Sequence, residues 1–232
     1  MSAKIIHVLC EGPTEIGFVD RVLKPYLLSY GVTAVKSVEV YTNKKLHASG
    51  GLVGYQYAQN DLRTMMLLNK DTEYEHHLFT TMFDLYGLPN DFPAYERCCK
   101  IADRYVRVRA FEDAYSADVN DKRFIPYIQL HEYEAIVFCG LDYLKDLYPN
   151  CEKKCAPLKS YLSKVGNPEL INDSPETAPS KRLTNAIESG KKPLYRYNKP
   201  KTGHYIASKV GIDALREMCP HLNDWIQQLI DA

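Results

Sequence analysis

The chain has 232 residues, and its 29 Lys and Arg residues balance 29 Asp and Glu residues. This length suits one large α/β domain, or a core with an appended helical part, and it allows a sizeable buried core. The balanced charge excludes binding of nucleic acid or an anionic membrane through overall charge, so a nucleic-acid site must be local. No segment has the apolar length of a membrane span, and the N-terminal segment lacks the form of a signal peptide. We therefore expect a cytoplasmic protein that does not bind membranes.

The first informative pattern is a strand that ends in a carboxylate. Residues 4–10 form a short apolar run, typical of a strand buried on both faces of a parallel sheet. Glu11 follows directly, and after two turn residues Thr14 is predicted to be a helix N-cap with Glu15 in the first turn. Glu11 is thus placed at the carboxyl end of a strand, where open α/β sheets hold their chemistry. A solvated loop glutamate would fit the same pattern.

The same pattern recurs twice along the chain. Residues 78–83 read as a strand that ends in Asp84, and residues 124–130 read as a strand followed by Glu132 and Glu134. If these strands lie parallel in one sheet, their carboxylates emerge at one edge and can converge on a divalent cation. The alternatives are that Asp84 caps the following turn, and that Glu132 and Glu134 only complement a helix dipole. No glycine-rich phosphate loop of the Rossmann or Walker type is present.

Basic residues at two places are candidates for phosphate contact. Lys181 and Arg182 are predicted to stand in the first turn of a helix, where cations are unfavourable unless they face an anion or an acidic site. Lys44 and Lys45 belong to a polar loop that could close over a phosphate backbone. An ordinary solvated turn and a solvated loop remain the alternatives. A further basic and aromatic cluster spans residues 191–201 and includes Lys199.

The cysteines indicate reduced thiols, because there are seven of them and no secretion signal. Cys151 and Cys155 form a C-x-x-x-C motif that Cys219 and His221 could complete as a zinc site. The second pair lacks the spacing of ordinary zinc fingers and ribbons, so we do not expect zinc.

Helical patterns fill most of the remaining chain. Residues 55–68 and 94–105 are predicted helices, residues 106–111 a short strand, and residues 206–230 an amphipathic helix. The apolar stripe of that last helix would suit either the core or a homo-oligomer interface. We expect an α/β core over residues 1–139 and a helical C-terminal region over residues 140–232, packed together as one unit.

Several stretches together resemble one family over nearly the full chain. These stretches, VLCEGPTE, TTMFDLYGLPNDFP, RFIPYIQLHEYEAIVF, NDSPETAPSKR and GIDALREMCPHLNDW, resemble the DUF4276 family. That family is related to Toprim-type domains of the OLD-nuclease kind, and it is often encoded beside an AAA or ABC-type ATPase. The resemblance implies an α/β fold with a Toprim-like, mainly parallel central sheet flanked by helices. It also implies a role in anti-phage defence or DNA processing with such an ATPase.

The resemblance also implies roles for individual residues. In Toprim domains a Glu after the first strand is a general acid or base, and a D-x-D after a later strand holds magnesium. Glu11 matches the first element and Asp84 matches the first Asp, whereas Tyr86 stands in the place of the second Asp. Glu132 or Glu134 could restore the lost negative charge from the neighbouring strand.

The function implied in this way is a Mg²⁺- or Mn²⁺-dependent phosphodiesterase or nuclease acting on nucleic acid, with DNA preferred over RNA. Glu11, Asp84 and Glu132 would carry catalysis and hold the metal, with Glu134 or Glu15 as further ligands. The alternative is a catalytically silent regulatory subunit of an ATPase complex, which the loss of the second D-x-D carboxylate favours.

Overall fold

The structure is a computed structural model that describes residues 2–43, 48–49, 51–171, 177–190 and 192–232. Lys44 and Lys45, which the sequence marks for phosphate contact, lie outside these residues. The described strands are β1 (Ala3–Cys10), β2 (Ala34–Glu39), β3 (Tyr41–Asn43), β4 (Ala48–Ser49), β5 (Glu75–Asp84), β6 (Phe124–Ile125) and β7 (Ile128–Gln129).

The main sheet is parallel throughout. β1 pairs with β2 on one side and with β5 on the other, and β5 also pairs with β6 and then β7. Strands β3 and β4 form a separate antiparallel pair. Helices flank the sheet, so the predicted mixed α/β class with a mainly parallel sheet is confirmed.

Short and medium helices connect and cover the strands. None of the helices within the described ranges combines the length and apolar character needed to cross a membrane. They are α1 (Pro13–Phe18), α2 (Lys24–Ser29), α3 (Tyr55–Leu68), α4 (Tyr95–Cys98), α5 (Arg104–Val119), α6 (Glu134–Phe138), α7 (Leu144–Leu147), α8 (Glu152–Val165), α9 (Pro179–Ile187), α10 (Lys199–Val210), α11 (Ile212–Met218) and α12 (Pro220–Asp231).

Burial of the sheet on both faces explains its continuous apolar strands. In β1, Ile6 and Val8 pack into a core that includes α6, α10 and α12, whereas Leu9 packs into the opposite core with α3 and α5. Alternate residues of a strand point to opposite faces, so a strand covered on both sides is apolar at most of its positions.

Several local predictions were wrong. The helix predicted over residues 94–105 is interrupted, since α4 ends at Cys98 and α5 begins at Arg104. The strand predicted over residues 124–130 is divided into β6 and β7 at Pro126. The helix after β1 begins at Pro13 with Gly12 as its N-cap and no side-chain cap, so Thr14 is not the cap. Residues 106–111 form part of α5, where Asp103 caps the helix by accepting a hydrogen bond from Val106 N at 2.9 Å. The predicted helix over residues 206–230 is divided among α10, α11 and α12, because Gly211 has a φ of 82° and Pro220 begins a new helix.

A π-helical turn joins α1 to α2. It spans Val19–Leu23, directly before α2, in which Pro25 stands in the first turn. A proline lacks the N–H that continues an α-helix, and the wider turn before it accommodates that loss. The helix therefore changes type before Pro25, and the helical path continues to Ser29.

Helix α12 joins the C-terminal part of the chain to the middle of the sheet. Trp225 donates from Nε1 to Thr80 Oγ1 at 2.8 Å, and its ring stacks on Tyr127 with centroids 4.1 Å apart. The predicted apolar stripe of this helix is buried, which favours the core alternative over an oligomer interface. The division of the chain at residue 139 stays a prediction.

The outer edge of β7 is closed by two side chains. Ile128 donates from N to Glu112 Oε1 at 2.8 Å, and its carbonyl oxygen lies 3.2 Å from His221 Nε2. Glu112 and His221 also contact each other at 3.0 Å. Burial alone would lower the pKa of His221, but the Glu112 carboxylate raises it above its usual value. The N–H and C=O of Ile128, which a further strand would bind, are thus already hydrogen-bonded.

A buried carboxylate caps α12. Glu169 is fully buried and accepts hydrogen bonds from His221 N and Leu222 N, both at 3.0 Å, and from the Tyr105 hydroxyl at 2.9 Å. The two main-chain donors belong to the first turn of α12, whose N–H groups have no partner within the helix. A negative charge at this end also complements the helix dipole.

We expect Glu169→Ala to lower the free energy of unfolding by about 3 kcal/mol, because two buried N–H groups lose their acceptor. Glu169→Gln keeps one acceptor oxygen and should cost roughly half as much. Urea unfolding followed by the fluorescence of Trp225 measures both changes. The exposed Glu217→Ala serves as the control, and equal stability of all three variants would contradict the capping role.

Candidate active site

Three adjacent strand ends bring carboxylates together at one edge of the sheet. Glu11 follows β1, Asp84 ends β5, and Glu132 and Glu134 follow β7. Glu15 reaches the same place from α1, since its charge acts on Asp84. The sheet therefore assembles the predicted set, as expected for the carboxyl ends of neighbouring parallel strands.

Hydrogen bonds link these three strand ends in sequence. Asp84 N donates to Glu11 Oε2 at 2.9 Å, which joins the end of β5 to the end of β1. Tyr133 N donates to Asp84 Oδ1 at 2.8 Å, which joins the segment after β7 to β5. The Asp84 side chain makes no capping bond to the turn that follows it, so the turn-cap alternative is not what the structure shows.

Two turns close over the Glu11 carboxylate. Leu52 N donates to that carboxylate, and Gly51 N donates to the main-chain oxygen of Glu11 at 3.1 Å. On the other side, a Cβ atom at Gly87 would lie 2.7 Å from Glu11 Oε1, which is closer than real side chains approach. A residue larger than glycine at position 87 would displace the carboxylate.

The backbone is strained directly before Glu132. His131 has a φ of 64°, in the left-handed region that few residues other than glycine adopt. Such a conformation costs about 1–3 kcal/mol and is found most often at functional sites. The turn at His131 directs the chain from β7 toward the carboxylate cluster.

The start of α9 contributes to the site through Ser180. Its main-chain N and its hydroxyl both donate to Glu132, the hydroxyl at 3.0 Å. Lys181 is the next residue and is exposed. The guanidinium of Arg182 instead donates to Thr177 O at 2.7 Å and lies 3.7 Å from the centroid of the Tyr161 ring. The phosphate-binding roles of Lys181 and Arg182 stay predictions.

Lys199 contacts the cluster as a cation, although its place in the site is not among the roles expected from the sequence. Its Nζ lies 3.2 Å from Glu134 Oε1, and Glu134 is only 2% exposed. Lys199 stands in the first turn of α10, where the helix dipole disfavours a positive charge. The argument that singled out Lys181 applies equally to Lys199 and could have found it.

Burial raises the pKa values of Asp84, Glu15, Glu11 and Glu134, and repulsion from neighbouring carboxylates adds to this effect at Asp84, Glu15 and Glu134. Burial, then the charges of Glu11, Glu15 and the other two glutamates, raises the pKa of Asp84 well above its usual range. Burial raises the pKa of Glu15 to about 8, and the neighbouring glutamates add to this effect. The pKa values of Glu11 and Glu134 are also raised by burial.

Lys199 partly offsets this repulsion. Its charge lowers the pKa of Glu11 and of Glu134, although both remain above the ordinary value. Burial alone would lower the pKa of Lys199, but the carboxylates of Glu134, Glu132 and Asp84 raise it instead. Within the described part of the chain, the single ammonium group of Lys199 thus acts on four carboxyl groups, those of Glu11, Asp84, Glu132 and Glu134.

The donor chemistry of the cluster fits a hard cation. All its acidic side chains offer oxygen atoms, which are the ligands that Mg²⁺ prefers. Two buried phenol hydroxyls beside them, of Tyr133 and Tyr197, have no hydrogen-bond partner within the described ranges. Among the described residues, no group of three or more His, Cys, Asp or Glu side chains is arranged so that it could hold a metal ion as it stands.

The raised pKa values predict that the metal-free protein loses stability as the pH rises. The folded state holds protons on these carboxyl groups that the unfolded chain releases near pH 4.5, and Glu15 retains its proton until about pH 8. Glu15→Gln should remove up to about 1.4 kcal/mol per pH unit from this dependence. Chemical unfolding in a chelator across this pH range measures the slope, with Glu217→Gln as control. A wild-type stability that rises over this range would contradict the account.

Comparison with known proteins identifies the family. The sequence model of a family described as a domain of unknown function, DUF4276, matches residues 10–230. Neither the curated proteins nor the solved structures gave a match. The matched span contains the five carboxyl residues, Ser180 and Lys199. This chain therefore belongs to the DUF4276 family.

Proposed function

We propose that the protein is a Mg²⁺- or Mn²⁺-dependent phosphodiesterase that cleaves nucleic acid. The observation that carries the proposal is the convergence of five carboxyl groups from β1, α1, β5 and the segment after β7 at one edge of the sheet. Burial, and then the repulsion from neighbouring carboxylates, raises the pKa values of Asp84 and Glu15. A scaffold has no need to concentrate like charges in this way, whereas a site for a divalent cation does.

Asp84 and Glu132 are the proposed principal ligands, with Glu134 and Glu15 as further oxygen donors. When bound, the ion would lower the pKa of an attacking water and orient a phosphate oxygen. Glu11 would accept or donate a proton, since its carboxylate is held in place by the main-chain N–H groups of Asp84 and Leu52. Lys181, which is exposed and directly follows Ser180, would neutralise phosphate.

The resemblance to Toprim-type proteins supports the wider proposal. Nucleic acid is the substrate class, with DNA preferred over RNA, and an AAA or ABC-type ATPase is the proposed partner in defence or DNA processing. The cytoplasm is the proposed location.

A catalytically silent regulatory subunit is the second candidate. Tyr86 occupies the place of the second D-x-D carboxylate, and its ring is 45% exposed at the site. A site with fewer acidic ligands holds a hydrated ion less firmly.

Cleavage assays test the catalytic proposal. We expect purified protein to cut plasmid or single-stranded DNA in Mg²⁺ or Mn²⁺, and Glu11→Gln and Asp84→Asn to reduce the rate by about 100-fold or more. Glu217→Gln, on the distant helix α11, should cut like the wild type. If every protein is inert, also with an ATPase encoded beside it, while all still bind that ATPase, the regulatory candidate replaces the catalytic one.

Metal binding can be measured without activity. At a free Mg²⁺ concentration roughly ten times the Kd, the folded state should gain about 1.4 kcal/mol. Asp84→Asn should abolish this gain, yet leave the metal-free protein at least as stable as the wild type, because one buried like charge is removed. Thermal unfolding with and without Mg²⁺ measures both effects. An equal gain in wild type and Asp84→Asn would exclude Asp84 as a ligand.

A further inference from the structure

The rim of the carboxylate cluster carries two exposed apolar side chains. Both turns that close over the Glu11 carboxylate contribute one. Val53 follows Leu52 and is 70% exposed, and Tyr86 precedes Gly87 and is 45% exposed. Surface apolar residues are common when single, but these two stand on the turns that hold one catalytic candidate.

Tyr86 is fixed in place through its own contacts. Its main-chain N donates to His131 O at 3.1 Å, and its ring lies 5.7 Å from the His131 ring, between centroids. His131 is buried and has the left-handed backbone conformation described above. His131 thus contacts Tyr86 through its main chain and its ring, and it directly precedes Glu132. The same residue therefore positions both the Tyr86 ring and the Glu132 carboxylate.

We propose that Tyr86 is a stacking platform for an unpaired nucleobase of the substrate. This inference rests on the proposed function and gives its substrate class. Base stacking on an aromatic ring is largely independent of sequence, because every base has a π face. The acidic cluster with its cation would hold the phosphate next to that base, and Lys181 adds positive charge nearby.

Duplex DNA fits this arrangement poorly. A paired base inside a duplex has both faces covered by its neighbours, whereas a base in a single strand can turn out onto an aromatic side chain. Because Tyr86 is only two residues after Asp84, a base stacked on it must belong to a nucleotide close to the phosphate held by the cluster. Single-stranded nucleic acid or a free nucleotide would satisfy this geometry.

A stacking role would also account for an aromatic residue, Tyr86, at the position where the Toprim pattern has its second Asp. An aromatic ring there adds affinity for the base, and the phosphate site loses one charge.

Binding without cleavage tests the inference. Fluorescence anisotropy in Ca²⁺ compares a labelled single-stranded oligonucleotide, the matching duplex and, by competition, a mononucleotide. We expect the wild type to prefer the single strand. Tyr86→Ala should weaken single-strand binding roughly tenfold and Tyr86→Phe should not, since stacking needs the ring and not the hydroxyl. Competition by the mononucleotide would show that one base and its phosphate suffice.

Tyr74 provides the matched control. It lies directly before β5, whereas Tyr86 lies beyond the other end of that strand, and it is 73% exposed. Tyr74→Ala should bind like the wild type. Equal binding by wild type and Tyr86→Ala, equal loss in both tyrosine variants, tighter binding of the duplex, or no binding at all would overturn the inference. Cleavage that does not depend on Tyr86 would reject the platform alone, whereas Tyr86-dependent binding without any cleavage would reject the nuclease alone.

Discussion

Repulsion among five carboxyl groups at one edge of a parallel sheet is the constraint on which the rest of the structure depends. Bringing these groups out of water beside one another is unfavourable, and the surrounding chain reduces the cost in specific ways. Main-chain N–H groups donate to Glu11, Asp84 and Glu132, and Lys199 contacts Glu134. Each compensating group comes from a different segment, so the cluster can form only when the whole fold has formed.

The sheet strands and the segments beyond residue 140 contribute different groups to the cluster. The strands β1, β5 and β7 supply the acidic residues, because parallel strands end at the same edge. The segments beyond residue 140 supply Ser180 and Lys199, which neutralise and fix them. Helix α12, held by Glu169 at its start and by Trp225 in its middle, ties the C-terminal segments to the sheet. Substitutions that remove the contacts of Glu169 or Trp225 would therefore also disturb the positions of Ser180 and Lys199 at the carboxylate cluster.

The features that could be predicted from the sequence are those with a local hydrophobic pattern. The apolar runs of β1 and β5 and the acids that follow them could be recognised because burial on both faces leaves a continuous apolar signature. The helix of α3 was predicted at its observed bounds, Tyr55–Leu68. The strand predicted at residues 106–111 failed because Val108, Phe111 and Tyr115 are spaced for a helix, a pattern that only the longer segment reveals. The position of Lys199 in the first turn of a helix could have marked it as a candidate, but its partner Glu134 could not be predicted. The left-handed turn at His131 has no local signature, since it depends on tertiary packing.

The bonded state of Ile128 has a consequence for association between copies of the chain. An open sheet edge is a template onto which another polypeptide can add a strand, and proteins avoid this in several ways. Here the side chains of Glu112 and His221 bind the main-chain N–H and C=O of Ile128, which a neighbouring strand would otherwise bind. Pro126, which lacks an N–H group, stands just before β7 on the same edge. Addition of a strand is therefore blocked at Ile128, on the side of the main sheet opposite β2.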